Sequence, residues 1–306
     1  MKTMVELSVD IAGVKFKNPI LLASGTCGYG QEFSALTDLS RIGGLVSKTI
    51  TPEPRAGNPP PRIVETPAGM LNSIGLQNPG LEGFVKEKWP FLARLDTQVV
   101  VNIAAPTAEE HGEMAARLDE LEGIAALEVN ISSPNMKDGG MLFGCNPAAS
   151  AAVISAVRRA TRLPVIAKLT PNVTDITEIA RAVESAGADA ISLINTLVGM
   201  AIDASKRRPI LGNITGGLSG PAIKPVALAM VWKVRQAVQL PLMGIGGIAN
   251  AVDALEFIIA GATIIQVGTA AFVNPNAGVE IVEGIQCYCA EHGIENIDSL
   301  IGCLEV

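Results

Sequence analysis

Aromatic residues make up only 4% of this 306-residue chain. A large core must then be built from aliphatic and small side chains. Basic clusters are also scarce. The net charge is −7, and the longest basic run is Lys206-Arg207-Arg208. That balance argues against nucleic acid as the main partner. There are two histidines, His111 and His292, both in stretches with helical patterning. They read as solvated helix positions, which argues against histidine acid–base chemistry and metal ligation. The five cysteines (Cys27, Cys145, Cys287, Cys289, Cys303) form neither a CxxC pair nor a Cys/His quartet. This disfavours zinc or an iron–sulfur cluster within the chain, and an odd count favours unpaired thiols. Cys287 and Cys289, two apart, belong on different faces of one late helix.

Long hydrophobic runs of the kind that target or anchor a chain are missing too. Residues 1–13 include Glu6 and Asp10 and no apolar signal core. Residues 257–273 are apolar but contain Gly261, Gln266 and Gly268. They read as a helix end, a turn and a buried strand rather than a membrane span. A soluble, cytoplasmic protein is expected.

What is present is 48% hydrophobic residues and 31 glycines, a glycine share above the ~7% average. Short β-branched, apolar runs recur at 19–24, 44–50, 98–103, 127–132, 164–169, 190–195, 241–245 and 264–268. Near-continuous apolar runs of this kind mark parallel strands buried on both faces. Helical patterns lie between them, at 108–121, 148–161, 175–186, 221–238 and 250–260. Pro147 and Pro221 suit first helical positions, and Gly187 and Gly261 suit helix ends. Eight strand–helix units in residues 1–306 predict one α/β domain, a (β/α)8 TIM barrel with long loops on its C-terminal face. A doubly wound open sheet is the runner-up and would need a cleaner break into halves.

Two long connections, 51–76 and 133–146, follow predicted strands and so belong on the face where barrel active sites lie. The strand ends on that face carry Ser24, Lys48-Thr49, Asn102, Asn130, Lys168, Asn195-Thr196, Gly246-Gly247 and Gly268-Thr269. Glycines at the last two let backbone N–H groups approach phosphate oxygens, and barrels often hold phosphate after strands seven and eight. Simple turn geometry is the plainer reading of those glycines. Each asparagine amide offers a donor and an acceptor. Asn72, Asn102, Asn130, Asn135 and Asn195 on one face would match the alternating edge of a pyrimidine. Any one of them alone is as readily a turn or cap residue. Two lysines beside a phosphate site can stabilise the anionic side of a reduced flavin.

At these residues the chain resembles the class 1 dihydroorotate dehydrogenases, and most of all their NAD-linked subclass, 1B. The matching segments are SKTITPEPRAGNPPPR, NSIGLQNPG, EVNISSPN, AKLTPN, SLINT, GGLSGPAIKP, GIGGI and VGTA, which together run from the first strand to the last. The resemblance implies flavin-dependent oxidation of dihydroorotate to orotate in pyrimidine synthesis. It implies that Ser24, Lys48, Thr49, Asn102, Asn130, Lys168, Ile194, Gly220, Gly246, Gly247, Gly268 and Thr269 bind FMN. Lys48, Asn72, Ser73, Ile74, Gly75, Leu76, Asn130, Asn195 and Thr196 would hold the pyrimidine, with Asn135 helping from the loop after strand four. Hydride leaves carbon 6 of dihydroorotate for the flavin, while a base on that loop takes the proton from carbon 5.

The chain departs from the family at that base. The family has Cys where this sequence reads Asn130-Ile131-Ser132-Ser133-Pro134-Asn135, so Ser133 takes the catalytic position together with Lys48. A free thiol has a pKa near 8.5, whereas a hydroxyl is a far weaker acid that normally needs a neighbouring base. Ser133 is then a natural base, as serine is in the membrane-associated class 2 relatives. Otherwise it is a replacement that slows turnover, or the mark of a weakly active paralogue. Cys145 is a less suitable substitute.

The resemblance also implies partners. GIGGI does not open a dinucleotide-binding βαβ unit, so electrons would reach NAD through a second subunit carrying FAD and an iron–sulfur cluster. A homodimer core within a heterotetramer is expected, with no membrane and no nucleic acid. Two rivals remain. One is a dihydropyrimidine dehydrogenase acting on uracil. The other is a Schiff-base aldolase or isomerase with Lys168 as the amine.

Overall fold

A computed structural model describes residues 5–132 and 143–306. Eight parallel strands close a barrel in chain order: β1 (Ile20–Leu22), β2 (Gly44–Val46), β3 (Gln98–Ile103), β4 (Ala126–Asn130), β5 (Val165–Lys168), β6 (Ala190–Leu193), β7 (Leu242–Ile245) and β8 (Ala262–Val267). All eight predicted runs are strands, and the open-sheet alternative is excluded by the β8–β1 pairing. The runs are apolar throughout because their side chains are buried on both sides, between barrel interior and helices. The interior is aliphatic, as the shortage of aromatics requires. The fully buried large side chains include three Phe but are mostly Ile and Leu.

Among the described residues, six helices of nine or more residues clothe the barrel: α1 (Ala108–Asp119), α2 (Pro147–Ala160), α3 (Ile176–Ser185), α4 (Lys224–Ala237), α5 (Ala251–Ile259) and α6 (Ala277–Glu291). The starts of α1, α2, α3 and α5 are capped by side chains that satisfy the first free N–H groups. Thr107 accepts from Glu110 N, Asn146 from Ala149 N, Asp175 from Thr177 N and Asn250 from Asp253 N. Pro147 opens α2 as expected, whereas Pro221 opens a 3-10 turn, Pro221–Ile223, that leads into α4. Gly187 and Gly261 follow α3 and α5 with φ of 95° and 120°, a region that favours glycine. Residues 257–273 include the end of α5, the Gly261 turn and β8, as read from the sequence. On α6, Cys287 is exposed and Cys289 buried, so they face different ways.

The sequence pattern did not reveal a second sheet over the C-terminal face. It is antiparallel and four-stranded, in the order 197–200, 215–219, 69–72, 63–66. Strands from the connections after β2 and β6 meet in it, with Gly217 beside Asn72 and Leu218 beside Leu71. At the other end of the chain path, Glu6 pairs with the 295–297 segment through Glu6 N to Glu295 O (2.8 Å) and Ile297 N to Glu6 O (3.0 Å). Among the described residues, no helix is long and apolar enough to cross a membrane. None of those residues forms a His/Cys/Asp/Glu group able to hold a metal ion.

One expectation fails. His111 is 1% exposed and sits inside the fold, not in solvent. Its ring accepts from Ala105 N at Nε2 (3.0 Å) and bonds Thr107 O through Nδ1 (2.7 Å). It also meets Phe143 edge-on. Burial lowers its pKa to about 4. His111 lies in phase with buried Met114, Ala115 and Leu118, so the helical period carried the signal. His292 is exposed and stacks on Tyr288.

Candidate active site

A cavity of about 880 Å³ opens between the C-terminal ends of the barrel strands and the antiparallel sheet above them. Ser24, Lys48, Thr49, Asn72, Ile74, Gly75, Leu76, Asn130, Lys168, Ile194, Asn195, Thr196, Gly220, Gly246, Gly247, Gly268 and Thr269 all line it. The fold thus gathers residues spread over more than 240 positions of sequence into one chamber. Ser73 and Asn102 are not among the lining residues. Ser73 is buried behind the loop and accepts from Asn58 Nδ2 at 3.0 Å. Asn102 is fully buried and donates to Glu128 Oε1 at 2.6 Å. Ser133 and Asn135 lie outside the described residues.

One end of the chamber is a glycine cradle. Gly246, Gly247 and Gly220 have φ of 129°, 76° and 92°. A Cβ on Gly247 would stand 2.7 Å from Lys224 N and 2.9 Å from Gly220 O, so only a bare backbone fits. Among the described residues, the N–H groups of Gly247, Gly268 and Thr269 have no protein acceptor. Unpaired donors backed by glycine are suited to an anion such as a phosphate. Lys224 braces this loop. Its ammonium meets Asp253 Oδ1 at 2.6 Å and Glu256 Oε2 at 2.7 Å, while Asp253 Oδ2 accepts from Ala249 N at 2.9 Å. The sequence reading missed the brace because its members belong to two different helices.

Another part of the lining, at Thr49, Asn130, Asn195 and Thr196, is tied together by a chain of amides and hydroxyls. Asn130 Nδ2 reaches Thr49 Oγ1 at 3.4 Å, Ser132 Oγ donates to Asn130 Oδ1 at 2.8 Å, and Asn195 Nδ2 donates to Ser132 Oγ at 2.8 Å. Asn195 Oδ1 accepts from Thr196 N at 2.8 Å. Asn172 holds the Thr196 carbonyl at 3.0 Å and accepts from Val198 N at 3.0 Å. Ser132 and Asn172 were not singled out from sequence, although both stand within the quoted motifs. Lys48 is half-buried at the cavity wall. Burial, followed by the nearby Arg62 charge, lowers its pKa from the usual lysine value.

Beneath the chamber lies a buried polar layer. Glu128, wholly inaccessible, receives Lys168 Nζ at 3.1 Å and Asn102 Nδ2 at 2.6 Å on one oxygen, and Gln266 Nε2 at 2.8 Å on the other. Burial pushes its carboxyl up, but the Lys168 charge and the hydrogen bonds from Gln266, Ser192 and Lys168 outweigh that, and the net direction is down.

Comparison with known proteins agrees with this architecture. The family model described as dihydroorotate dehydrogenase matches residues 6–288. The chain is 58% identical over 300 residues to the "Dihydroorotate dehydrogenase B (NAD(+)), catalytic subunit" of Pelobacter propionicus, covering 98% of this chain and 99% of that protein. The identically named protein of Geotalea daltonii is 59% identical over 301 residues, covering 98% and 99% of the two chains. That of Desulforamulus reducens is 59% identical over 298 residues, covering 97% and 98%. With a barrel closed in the right order, a glycine cradle and full-length identity of this level, the chain belongs to the dihydroorotate dehydrogenase family.

Proposed function

We propose that the chain oxidises dihydroorotate to orotate as the FMN-bearing catalytic subunit of an NAD-linked dihydroorotate dehydrogenase, in the synthesis of pyrimidine nucleotides. The observation that carries this reading is the single chamber whose lining combines an anion cradle with lysines and amides. Residues 1–306 are read as one FMN-binding unit.

The chamber fits FMN. Its unpaired N–H groups at Gly247, Gly268 and Thr269 suit the phosphate, and Lys168 and Asn130 line the region that would take the ring. When bound, FMN supplies the acceptor for the hydride leaving carbon 6 of the substrate. The chain's own residues do the rest. Lys48 and the Asn72–Leu76 loop hold the substrate carboxylate and ring edge. Asn130, Asn195 and Thr196 offer donors and acceptors to the pyrimidine. Ser133 stands in sequence where the family's base takes the carbon-5 proton. The antiparallel sheet covers the chamber and limits water. A second subunit carrying FAD and an iron–sulfur cluster would accept the electrons and pass them to NAD, around a homodimer of this chain in the cytoplasm.

A Schiff-base role for Lys168 is disfavoured, because an amine nucleophile must be unprotonated and Lys168 is ion-paired with a buried carboxylate. The test is the visible spectrum of the purified protein, loaded with FMN, under anaerobic addition of dihydroorotate. Bleaching of the flavin bands is expected. A bound flavin that uracil's dihydro form bleaches and dihydroorotate does not would replace this reading with the dihydropyrimidine one.

A further inference from the structure

Glu128 belongs to none of the groups assigned to substrate or cofactor, yet it is the most deeply placed charge in the barrel. It is 0% exposed and stands on β4 two residues before Asn130, on the same face of the strand. Its carboxylate joins four strands. Asn102 comes from β3, Lys168 from β5 and Gln266 from β8, and all three donate to it. Such a group is costly to bury without a purpose, because isolated charges strongly resist transfer from water. Two further polar atoms of the layer, Asn102 Oδ1 and Gln266 Oε1, have no hydrogen-bond partner among the described residues, and the Ser192 hydroxyl lies against the same carboxylate. A layer built for stability alone would leave fewer orphans.

The direction of the ion pair matters. Lys168 lines the chamber, whereas Glu128 does not. The ammonium therefore stands between the carboxylate and whatever occupies the chamber, and the pair is a dipole with its positive end toward the occupant. Lysine is a point charge whose proton affinity falls when it is buried without a partner.

We propose that Glu128 is a positioning residue: it holds Lys168 as a cation at the chamber floor, and through Lys168 it favours the reduced, more negatively charged form of the bound flavin. The inference rests on the FMN reading above. It does not require Glu128 to touch flavin or substrate.

The experiment is a dye-equilibrated midpoint potential of bound FMN in the wild-type protein, Glu128→Gln, Lys168→Met and the double variant. Glu128→Gln keeps the side-chain volume and removes the charge, turning one of the two acceptor oxygens into an NH2 donor. If Lys168 depends on Glu128, the Gln variant leaves a buried amine that sheds its proton. Its flavin potential then falls toward that of Lys168→Met. The expected change is about tenfold weaker retention of reduced relative to oxidised FMN, equivalent to about 30 mV for a two-electron couple. The double variant should fall no further than either single one. A potential that rises in Glu128→Gln means Lys168 keeps its proton unaided, and overturns the proposal. An unchanged potential, or additive shifts, overturns it as well. Should the Gln variant not accumulate, Glu128→Asp retains the charge one methylene further away. It should then show a smaller fall, and a rise or no change would be equally decisive against the idea. Failure of the FMN reading would look different, since the wild-type protein itself would then bind no flavin.

Discussion

Ser132 joins Asn130 and Asn195: its Oγ accepts from Asn195 Nδ2 and donates to Asn130 Oδ1, each at 2.8 Å. One hydroxyl thus links the orientations of two amides. Ser132→Ala should loosen both, leaving Asn195 held by Thr196 N and Asn130 by Thr49 Oγ1 and the backbone N–H of residue 132. The expected outcome is a roughly tenfold fall in kcat/KM for dihydroorotate, carried mainly by KM. Tenfold is about 1.4 kcal/mol, near the upper end of the net worth of one hydrogen bond. Flavin content should stay at the wild-type level. Steady-state kinetics check it, and an unchanged KM would show that the amides hold their orientation without Ser132.

Ser133→Cys should raise turnover severalfold near neutral pH. The thiol is more acidic than the hydroxyl by many orders of magnitude, and the motif Asn130–Asn135 contains no histidine or carboxylate to assist a serine. The rate of anaerobic flavin bleaching by dihydroorotate reads the effect directly. Equal or slower bleaching by the Cys variant would mean that Ser133 has a base partner elsewhere.

His111 gives the fold an acid-sensitive point. Its folded pKa, about 4, lies below the unfolded value of 6.5. Between these values the unfolded chain binds the extra proton, so stability falls as pH drops. The contribution is complete above pH 6.5 and lost below about pH 4. Its size is on the order of 3 kcal/mol for a shift of this magnitude. Urea titrations at pH 7, 5.5 and 4.5 should show this slope, and His111→Gln should flatten it.

Gly247→Ala should abolish retention of FMN. The added methyl meets Lys224 N and Gly220 O inside van der Waals range, in a backbone conformation with φ of 76°. Equilibrium dialysis with FMN measures the loss. Circular dichroism should show the barrel intact, because the strand that precedes the loop ends at Ile245.

Thiol reagents should separate the cysteines by depth. Cys27 is 1% exposed, and burial pushes its thiol up to about 12. Cys289 is likewise buried, whereas Cys145 and Cys303 are exposed. Mass spectrometry after brief iodoacetamide treatment of the folded protein should find Cys145 and Cys303 modified and Cys27 and Cys289 untouched.

The barrel and its strand-end residues were legible because parallel strands buried on both faces leave nearly unbroken apolar runs, and each run here carries a polar or glycine residue at or near its end. Glu128 and Gln266 were harder. Each is a single polar letter inside an apolar strand, ALEVN and ATIIQV, and nothing local tells that the two side chains meet across the barrel. The antiparallel sheet escaped notice for a different reason. Its pairing joins residues about 145 positions apart, such as Asn72 and Gly217, and its strands lie in proline- and glycine-rich segments. His111 was misread although its period was correct. The polarity of the residue outweighed its place on the buried stripe of α1, where Ala105 N and Thr107 O satisfy both ring nitrogens.

That antiparallel sheet also governs how such an enzyme can be remodelled. Barrel enzymes usually diversify by exchanging one loop at a time, each loop being anchored to its own strand. Here the connections after β2 and β6 share backbone hydrogen bonds, so neither is an independent module. A graft that alters one leaves the other with an unpaired edge. New substrate specificity on this scaffold therefore comes in coupled changes to both segments, or through side chains that leave their shared backbone register intact.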